Sequence, residues 1–117
     1  MKMNDKNRRI HSEQYFHVPP ENLNCAQAIL KGFQSEFGIP DKEIEEFIRF
    51  GGGRALDGIC GALYSAEELL RQACKQGITK EFEAIVGKIY CKEIKALKYP
   101  CIECVRIADN LLENKIK

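Results

Sequence analysis

The chain has 117 residues, which is enough for one domain with a single modest core and too few for two. Its 18 basic and 17 acidic residues leave a formal net charge of +1, so no strong electrostatic field favours nucleic acid or an acidic membrane surface as a partner. No apolar segment of a signal peptide follows the basic start, and no apolar run is long enough to cross a membrane. We therefore expect a cytoplasmic protein without membrane insertion.

Residues 1–21 combine charged side chains, two histidines and two prolines, and they show no sustained hydrophobic period. We predict an N-terminal arm here, poorly ordered or docked, followed by a helical cysteine-cluster domain over residues 22–117. His11 and His17 belong to the arm. Imidazoles are common metal ligands, but a solvated pair of histidines is the simpler interpretation.

Apolar residues recur at helical spacing from Asn24 onward. This spacing predicts three helices before residue 78, each of which ends near a glycine. They run from Asn24 to Gly38, from Pro40 to the three glycines at 51–53, and from about Cys60 to Gln76.

The fourth helical segment is predicted to begin near Thr79, a good N-cap. In an unbroken helix Cys91 would lie about 180° from Phe82, on the solvent side. Cys91 nevertheless begins a new apolar stripe with Ile94 and Leu97. We therefore predict a break within residues 87–90 that turns Cys91 inward.

The last helix is predicted after Tyr99-Pro100, because a residue before proline avoids the α region. No alternating strand pattern occurs anywhere in the chain. The predicted fold is therefore all-α, a single-domain bundle of about five helices.

Three of the six cysteines lie at predicted helix starts, namely Cys25, Cys60 and Cys101. Free backbone N–H groups and the positive end of the helix dipole stabilise a thiolate there, and they can lower a cysteine pKa to about 3.5–7.5. Without a signal peptide, redox or metal chemistry is a better explanation of six cysteines than permanent disulfides. We expect these three thiols to be reactive or to bind metal.

Two further features of the cysteines are weaker signals. Cys101 and Cys104 form a C-x-x-C pair, which suits a redox dithiol or two ligands of one metal. Cys74 lies near the Leu70 face of the third predicted helix, so we interpret it as a packing residue.

The loop at residues 51–60 has the glycine spacing of a P-loop but lacks its chemistry. Ile59 and Cys60 stand where phosphate binding needs Lys and Ser or Thr. The glycines are therefore expected to turn the backbone sharply and bring Cys60 to a helix start. Arg54 could stabilise the Cys60 thiolate and Asp57 could orient it, although an ordinary ion pair between the two is the simpler interpretation.

Four blocks of the sequence resemble the C_GCAxxG_C_C family of redox-active proteins. These blocks are NCAQAIL, FGGGRALDGICGALYS, Cys91 with Lys92-Glu93, and PCIECV, and together they span residues 22–113. The resemblance implies that Cys25, Cys60, Cys91 and Cys101 are the family's four cysteines. It also places the CGAxxG motif at residues 60–65, where Ser65 replaces the last glycine, and it leaves Cys74 and Cys104 as additions.

Three functions remain open at this point. In the leading hypothesis the four family cysteines converge at one end of the bundle and exchange electrons with a redox partner protein, as a thiol–disulfide oxidoreductase or an electron-transfer protein. In the second, the same four thiolates hold zinc or an iron–sulfur cluster, whereas the first needs no cofactor. In the third, the chain is a helical interaction protein with incidental cysteines. The expected supporting residues are Cys104, Arg54, Asp57 and Gly61.

Overall fold

The computed structural model describes residues 10–19, 21–51, 54–55 and 58–116. Within these residues the chain is all-α, as predicted, and contains no β-strand. Several predicted helices are divided, so the described residues form more than five. The α-helices are α1 (Cys25–Gly32), α2 (Gln34–Phe37), α3 (Asp41–Glu46), α4 (Gly61–Gln72), α5 (Thr79–Val86), α6 (Cys91–Ala96) and α7 (Cys101–Ile116), with 3-10 helices at Ser12–Gln14 and Phe47–Phe50.

The first predicted helix begins where expected and is divided at Phe33. Asn24 and Gln27 form a capping box at its start: the Asn24 side chain accepts from the Gln27 N–H at 2.9 Å, and the Gln27 side chain accepts from the Asn24 N–H at 3.1 Å. Phe33 leaves helical geometry with a φ of −113°, and α2 then continues to the left-handed Gly38. The predicted stop at Gly38 is confirmed.

The third predicted helix ends early, at Gln72, and Cys74 is exposed. The Cys74 N–H donates to the Arg71 carbonyl at 3.1 Å, and the Lys75 N–H donates to the Leu70 carbonyl at 2.9 Å. These two bonds form a Schellman motif, in which Cys74 takes the left-handed position, with a φ of 57°, that glycine usually fills. The interpretation of Cys74 as a packing residue is wrong, because this motif turns it out of the helix.

The predicted break before Cys91 is confirmed. Helix α5 ends at Val86, and Gly87 has a φ of 100°, which favours glycine. The Ile89 carbonyl then accepts from the Cys60 N–H at 2.8 Å, which ties the break to the start of α4. Cys91 begins α6 with only 8% of its surface exposed.

The start of α5 is held by a side chain of α4. The Ile78 N–H and the Thr79 hydroxyl both donate to Glu67 Oε2, at 2.8 and 2.6 Å. Thr79 is the first residue of the helix rather than its N-cap, so that detail of the prediction is wrong. A carboxylate from another helix supplies the acceptor that a capping side chain would have provided.

The described part of the N-terminal arm is docked. The 3-10 helix at Ser12–Gln14 packs against α1 and α7. The Ser12 N–H and hydroxyl donate to Asp109 Oδ2 of α7 at 2.8 and 2.6 Å, and His11 Nδ1 lies 2.9 Å from Asp109 Oδ1. Ser12 and Asp109 are fully buried, so this contact anchors the arm in the interior.

The core lies where α1, α4 and α7 pack together, with α5 against α7. Burial of large apolar side chains provides the main driving force for this arrangement. No helix among the described residues has the length and apolar character needed to span a membrane. The largest fully buried apolar side chains are Phe33, Phe82, Ile29, Leu30, Leu63, Leu69, Leu70, Ile78 and Leu112.

Candidate functional site

Five of the six cysteines line one small cavity between α1, α4, α6 and α7. Its volume is about 30 Å³, which leaves room for a water molecule or a single ion, whereas pockets for organic ligands are roughly ten times larger. The structure thus brings together the four cysteines that the family resemblance singles out, and it adds Cys104. The lining residues are Cys25, Cys60, Gly61, Cys91, Ile94, Lys95, Cys101 and Cys104.

Four of these thiols lie at helix starts. Cys25, Cys91 and Cys101 are the first residues of α1, α6 and α7, and Cys60 immediately precedes α4. Cys104 lies one turn into α7, on the side that faces the core. The cavity is therefore formed where four helix N-termini approach one another.

The five thiols differ in their access to solvent. Cys25, Cys60, Cys91 and Cys104 are buried, and only 2% of the Cys104 surface is exposed. Cys101 is partly exposed. Cys101 is therefore the most exposed thiol of the cavity.

Three thiols of the cavity have a raised pKa, although we expected helix starts to lower it. The pKa of Cys60 is raised well above its ordinary value, first by a hydrogen bond with Cys104 and then by burial. Burial also raises the pKa of Cys91 and of Cys101. The prediction of a lowered pKa is therefore wrong for Cys60, where the hydrogen bond with Cys104 and burial outweigh the helix dipole, and for Cys101, where burial does.

Lys95 is a residue of the site that the sequence reasoning missed. It lines the cavity, and its positive charge opposes the effect of burial by lowering the pKa of both Cys91 and Cys101. The available signal was its position four residues after Cys91, which places both side chains on one face of a helix.

Gly61 allows α4 to approach α1 beside the cavity. A β-carbon at this position would lie 2.8 Å from Cys25 Sγ and 2.8 Å from the Phe50 carbonyl oxygen. Ser65, which replaces the last glycine of the CGAxxG motif, is buried and donates its hydroxyl to the Ala26 carbonyl at 2.8 Å. The two helices therefore meet through a close glycine contact and a hydrogen bond.

Arg54 holds the glycine-rich loop instead of a thiol. Its Nε donates to the Gly51 carbonyl at 3.0 Å, and its Nη2 donates to the Ile48 carbonyl at 3.1 Å. Arg54 is not among the residues that line the thiol cavity, so the expected contact with the Cys60 thiolate is replaced by backbone contacts. Asp57 lies outside the described residues.

Neither histidine is among the residues that line the thiol cavity. His17 is exposed and stacks on Phe16, with ring centroids 3.9 Å apart. Potential ligand atoms of His11, Asp109 and Glu113 lie within 4.8 Å of one another. Because both Asp109 oxygens already bind the arm, we interpret this group as its anchor; the only sequence signal was an aspartate beside the apolar stripe of α7.

The fold and the cavity define an all-α protein with a buried cluster of cysteine thiols. The family model described as "Putative redox-active protein (C_GCAxxG_C_C)" matches residues 23–115. The chain therefore belongs to this family, as the sequence resemblance indicated. No curated protein and no solved structure matches the chain.

Proposed function

We propose that this protein is a cytoplasmic thiol-based redox protein that passes two electrons from its cysteine cluster to a disulfide of a partner protein. The observation that supports the proposal is the shared cavity: five thiols from four helices lie together, and only Cys101 is partly exposed. Such an arrangement offers one thiol for contact with a partner and neighbours that can complete the exchange. A reducing compartment would return the cysteine cluster to its thiol form.

Cys101 acts first in the proposed reaction. After its thiol loses a proton to solvent, the thiolate attacks one sulfur of the partner's disulfide, and a mixed disulfide forms as the other partner sulfur leaves as a thiolate. Cys91 then attacks the Cys101 sulfur as a thiolate and releases the second partner sulfur. The two thiols of this protein become a Cys91–Cys101 disulfide, and the two partner sulfurs take up two protons.

Cys91 is assigned as the second thiol because of its surroundings. Cys91 and Cys101 line the same cavity as Lys95, whose charge favours the thiolate form of both. Cys60 is instead hydrogen-bonded to Cys104 deeper in the core. Cys91 and Cys101 therefore share a cationic neighbour that favours their thiolates, whereas the contact with Cys104 favours the protonated thiol of Cys60.

Single-turnover reduction of hydroxyethyl disulfide by the pre-reduced full-length protein tests this function. We expect the Cys101→Ser variant to lose the reaction and the Cys91→Ser variant to accumulate the mixed disulfide, visible by mass spectrometry. The Cys74→Ser variant is the matched control, because Cys74 is exposed and lies outside the cavity. Reduction at the parent rate by folded Cys101→Ser protein would overturn the assignment.

A second candidate function is binding of a metal ion by the same thiols; an iron–sulfur cluster would require this cavity of about 30 Å³ to expand. It is favoured by the number of sulfur atoms around one small cavity, since a dithiol reaction needs two and a tetrahedral thiolate site needs four. Cys25, Cys60, Cys91 and Cys101 would hold the group, and a bound cation would ionise thiols that burial otherwise keeps protonated.

Metal analysis of anaerobically purified protein distinguishes the two candidates. Zinc or iron bound at a fixed ratio, and lost in a variant with all four cysteines changed to serine, would support the second. Metal-free protein with six titratable thiols and disulfide reductase activity would support the first. If the protein neither binds metal nor reduces disulfides, and the variant with all four cysteines changed to serine is as stable as its parent, the third hypothesis is favoured, an interaction protein with incidental cysteines.

A further inference from the structure

The partly exposed Cys101 belongs to a positively charged segment of the chain. Residues 87–102 contain four lysines and one glutamate, a formal net charge of +3, whereas the whole chain carries +1 and the remaining residues therefore −2. All four lysines are exposed, and among the described residues none of them forms a salt bridge. We name this segment, residues 87–102 with its exposed Lys88, Lys92, Lys95 and Lys98, the lysine face.

Two lysines elsewhere in the described chain are paired with carboxylates. Lys31 lies 3.4 Å from Glu21, and Lys115 lies 3.0 Å from Glu81. On the lysine face the single glutamate is Glu93, while the nearby Glu103 is already bound by Arg106. The positive charge of the lysine face is thus left for an external partner to neutralise.

The lysine face adjoins the reactive thiols and includes exposed apolar side chains. Lys95 lines the cavity together with Cys91 and Cys101. Tyr90 precedes Cys91, Ile102 follows Cys101, and Leu97 follows the end of α6. These three apolar side chains are 41%, 43% and 53% exposed.

We propose that the lysine face docks an acidic surface of the redox partner, a protein whose disulfide lies among aspartate and glutamate side chains. This inference rests on the proposed function and names the partner's chemistry. Opposite charges would speed the encounter and orient the disulfide toward Cys101, and salt would screen the effect. Tyr90, Leu97 and Ile102 would supply apolar contact within a charged rim.

Three disulfide probes test the proposal with the pre-reduced full-length protein. They are neutral hydroxyethyl disulfide, the disulfide dimer of a peptide with glutamates flanking one cysteine, and the matched dimer with lysines. At low salt we expect the acidic dimer to react about 10-fold faster than the basic one, and the ratio to approach one at high salt. Equal rates at low salt would overturn the docking surface.

Charge-reversal variants locate the effect. Lys92→Glu combined with Lys98→Glu should remove or reverse the preference for the acidic dimer while leaving reduction of the neutral disulfide unchanged. Lys42→Glu combined with Lys80→Glu is the matched control on α3 and α5, because both lysines are exposed and lie outside the lysine face. An equal loss of preference in the control pair would show that only net charge matters, which contradicts the proposal.

The outcomes separate this inference from the proposed function. No reduction of hydroxyethyl disulfide would overturn the proposed function itself. Reduction of that probe without a charge preference would overturn the docking surface alone. Short duplex DNA and a cysteine-free acidic peptide serve as competitors at matched charge, and stronger inhibition by the DNA would assign the lysine face to nucleic acid instead of a protein.

Discussion

Gly61 and Cys25 are so close that a β-carbon at position 61 would lie 2.8 Å from Cys25 Sγ. Side-chain carbons are not found at such a separation without a shift of the neighbours. The Phe50 carbonyl oxygen, also at 2.8 Å from that position, blocks one direction of such a shift. The contact therefore fixes how α4 meets α1 beside the thiol cavity.

Gly61→Ala should lower the free energy of unfolding by about 1–3 kcal/mol, the usual cost of overpacking. Alanine in a helix otherwise stabilises by up to about 1 kcal/mol relative to glycine, so the sign of the change is informative. Urea unfolding measures it, and alkylation of Cys25 should become faster as the helices separate. Gly38→Ala is the control: its β-carbon would meet nothing within 4 Å, so stability alone should fall. A Gly61→Ala protein as stable as its parent would contradict the close contact.

Cys74→Gly should raise the free energy of unfolding by about 1 kcal/mol. Glycine adopts the left-handed backbone of Cys74 without the steric cost that other residues meet there. Cys74→Ala removes the same thiol but keeps the β-carbon, so it should leave stability nearly unchanged. Denaturant midpoints compare the three proteins, and equal stabilisation by both substitutions would assign the gain to loss of the thiol.

Ser12→Ala should lower the free energy of unfolding by about 1–3 kcal/mol. The substitution removes the hydroxyl that donates to the buried Asp109 carboxylate at 2.6 Å, and bonds to charged groups are among the stronger ones. Ser35→Ala in α2 is the matched control, because Ser35 is exposed, and its effect should stay within about 0.5 kcal/mol. Equal effects in urea unfolding would show that the anchor contributes nothing.

The free energy of unfolding should fall as the pH rises above about 8.5, the ordinary pKa of a cysteine. The folded state keeps the Cys60 proton to higher pH than the unfolded state, because the Cys60 pKa is raised in the fold. This stabilisation is fully present below the ordinary pKa and is lost, by up to about 1.4 kcal/mol per pH unit, as the pH approaches the folded value. Urea unfolding between pH 7.5 and about 9.5 should show a shallower decline in Cys60→Ser than in Cys74→Ser. Parallel curves for the two variants would contradict the raised pKa.

Alkylation of the folded, metal-free protein should modify Cys101 before Cys104. Cys101 is partly exposed at the first residue of α7, whereas Cys104 is buried one turn later. The exposed Cys74 should react as well and serves as an internal reference. Peptide mapping after short reaction times gives the order, and faster modification of Cys104 would require the roles of the two thiols to be exchanged.

Periodicity and spacing predicted the features of the site that depend on local sequence. The inward turn of Cys91 followed from the mismatch between two apolar stripes, because a helix can change phase only at a break. The helix starts at Cys25 and Cys101 followed from Asn24 and Pro100. These signals lie within a few residues of the positions that they determine.

The features that the sequence did not predict depend on contacts between distant residues. The Asp109 carboxylate accepts a hydrogen bond from Ser12, 97 residues away, and the Cys60 pKa depends on Cys104 in α7. The sequence did not predict the early end of α4, because Cys74 occupies the left-handed position where a glycine usually marks the end of a helix. The burial that raises the pKa of Cys101 is likewise a property of the assembled helices.

The thiols are separated by different lengths of chain, so each possible disulfide would lower the entropy of the unfolded chain by a different amount. A disulfide between Cys91 and Cys101 would close a loop of about 11 residues, which removes roughly 3 kcal/mol of entropy from the unfolded chain. One between Cys60 and Cys104 would close about 45 residues, and the corresponding effect is about 4 kcal/mol. Thermal stability should therefore depend on which pair is oxidised as well as on how many electrons have left the protein. In this small cavity, exchange of a disulfide from one pair to the other would change the topology of the chain while its composition and net charge stayed the same.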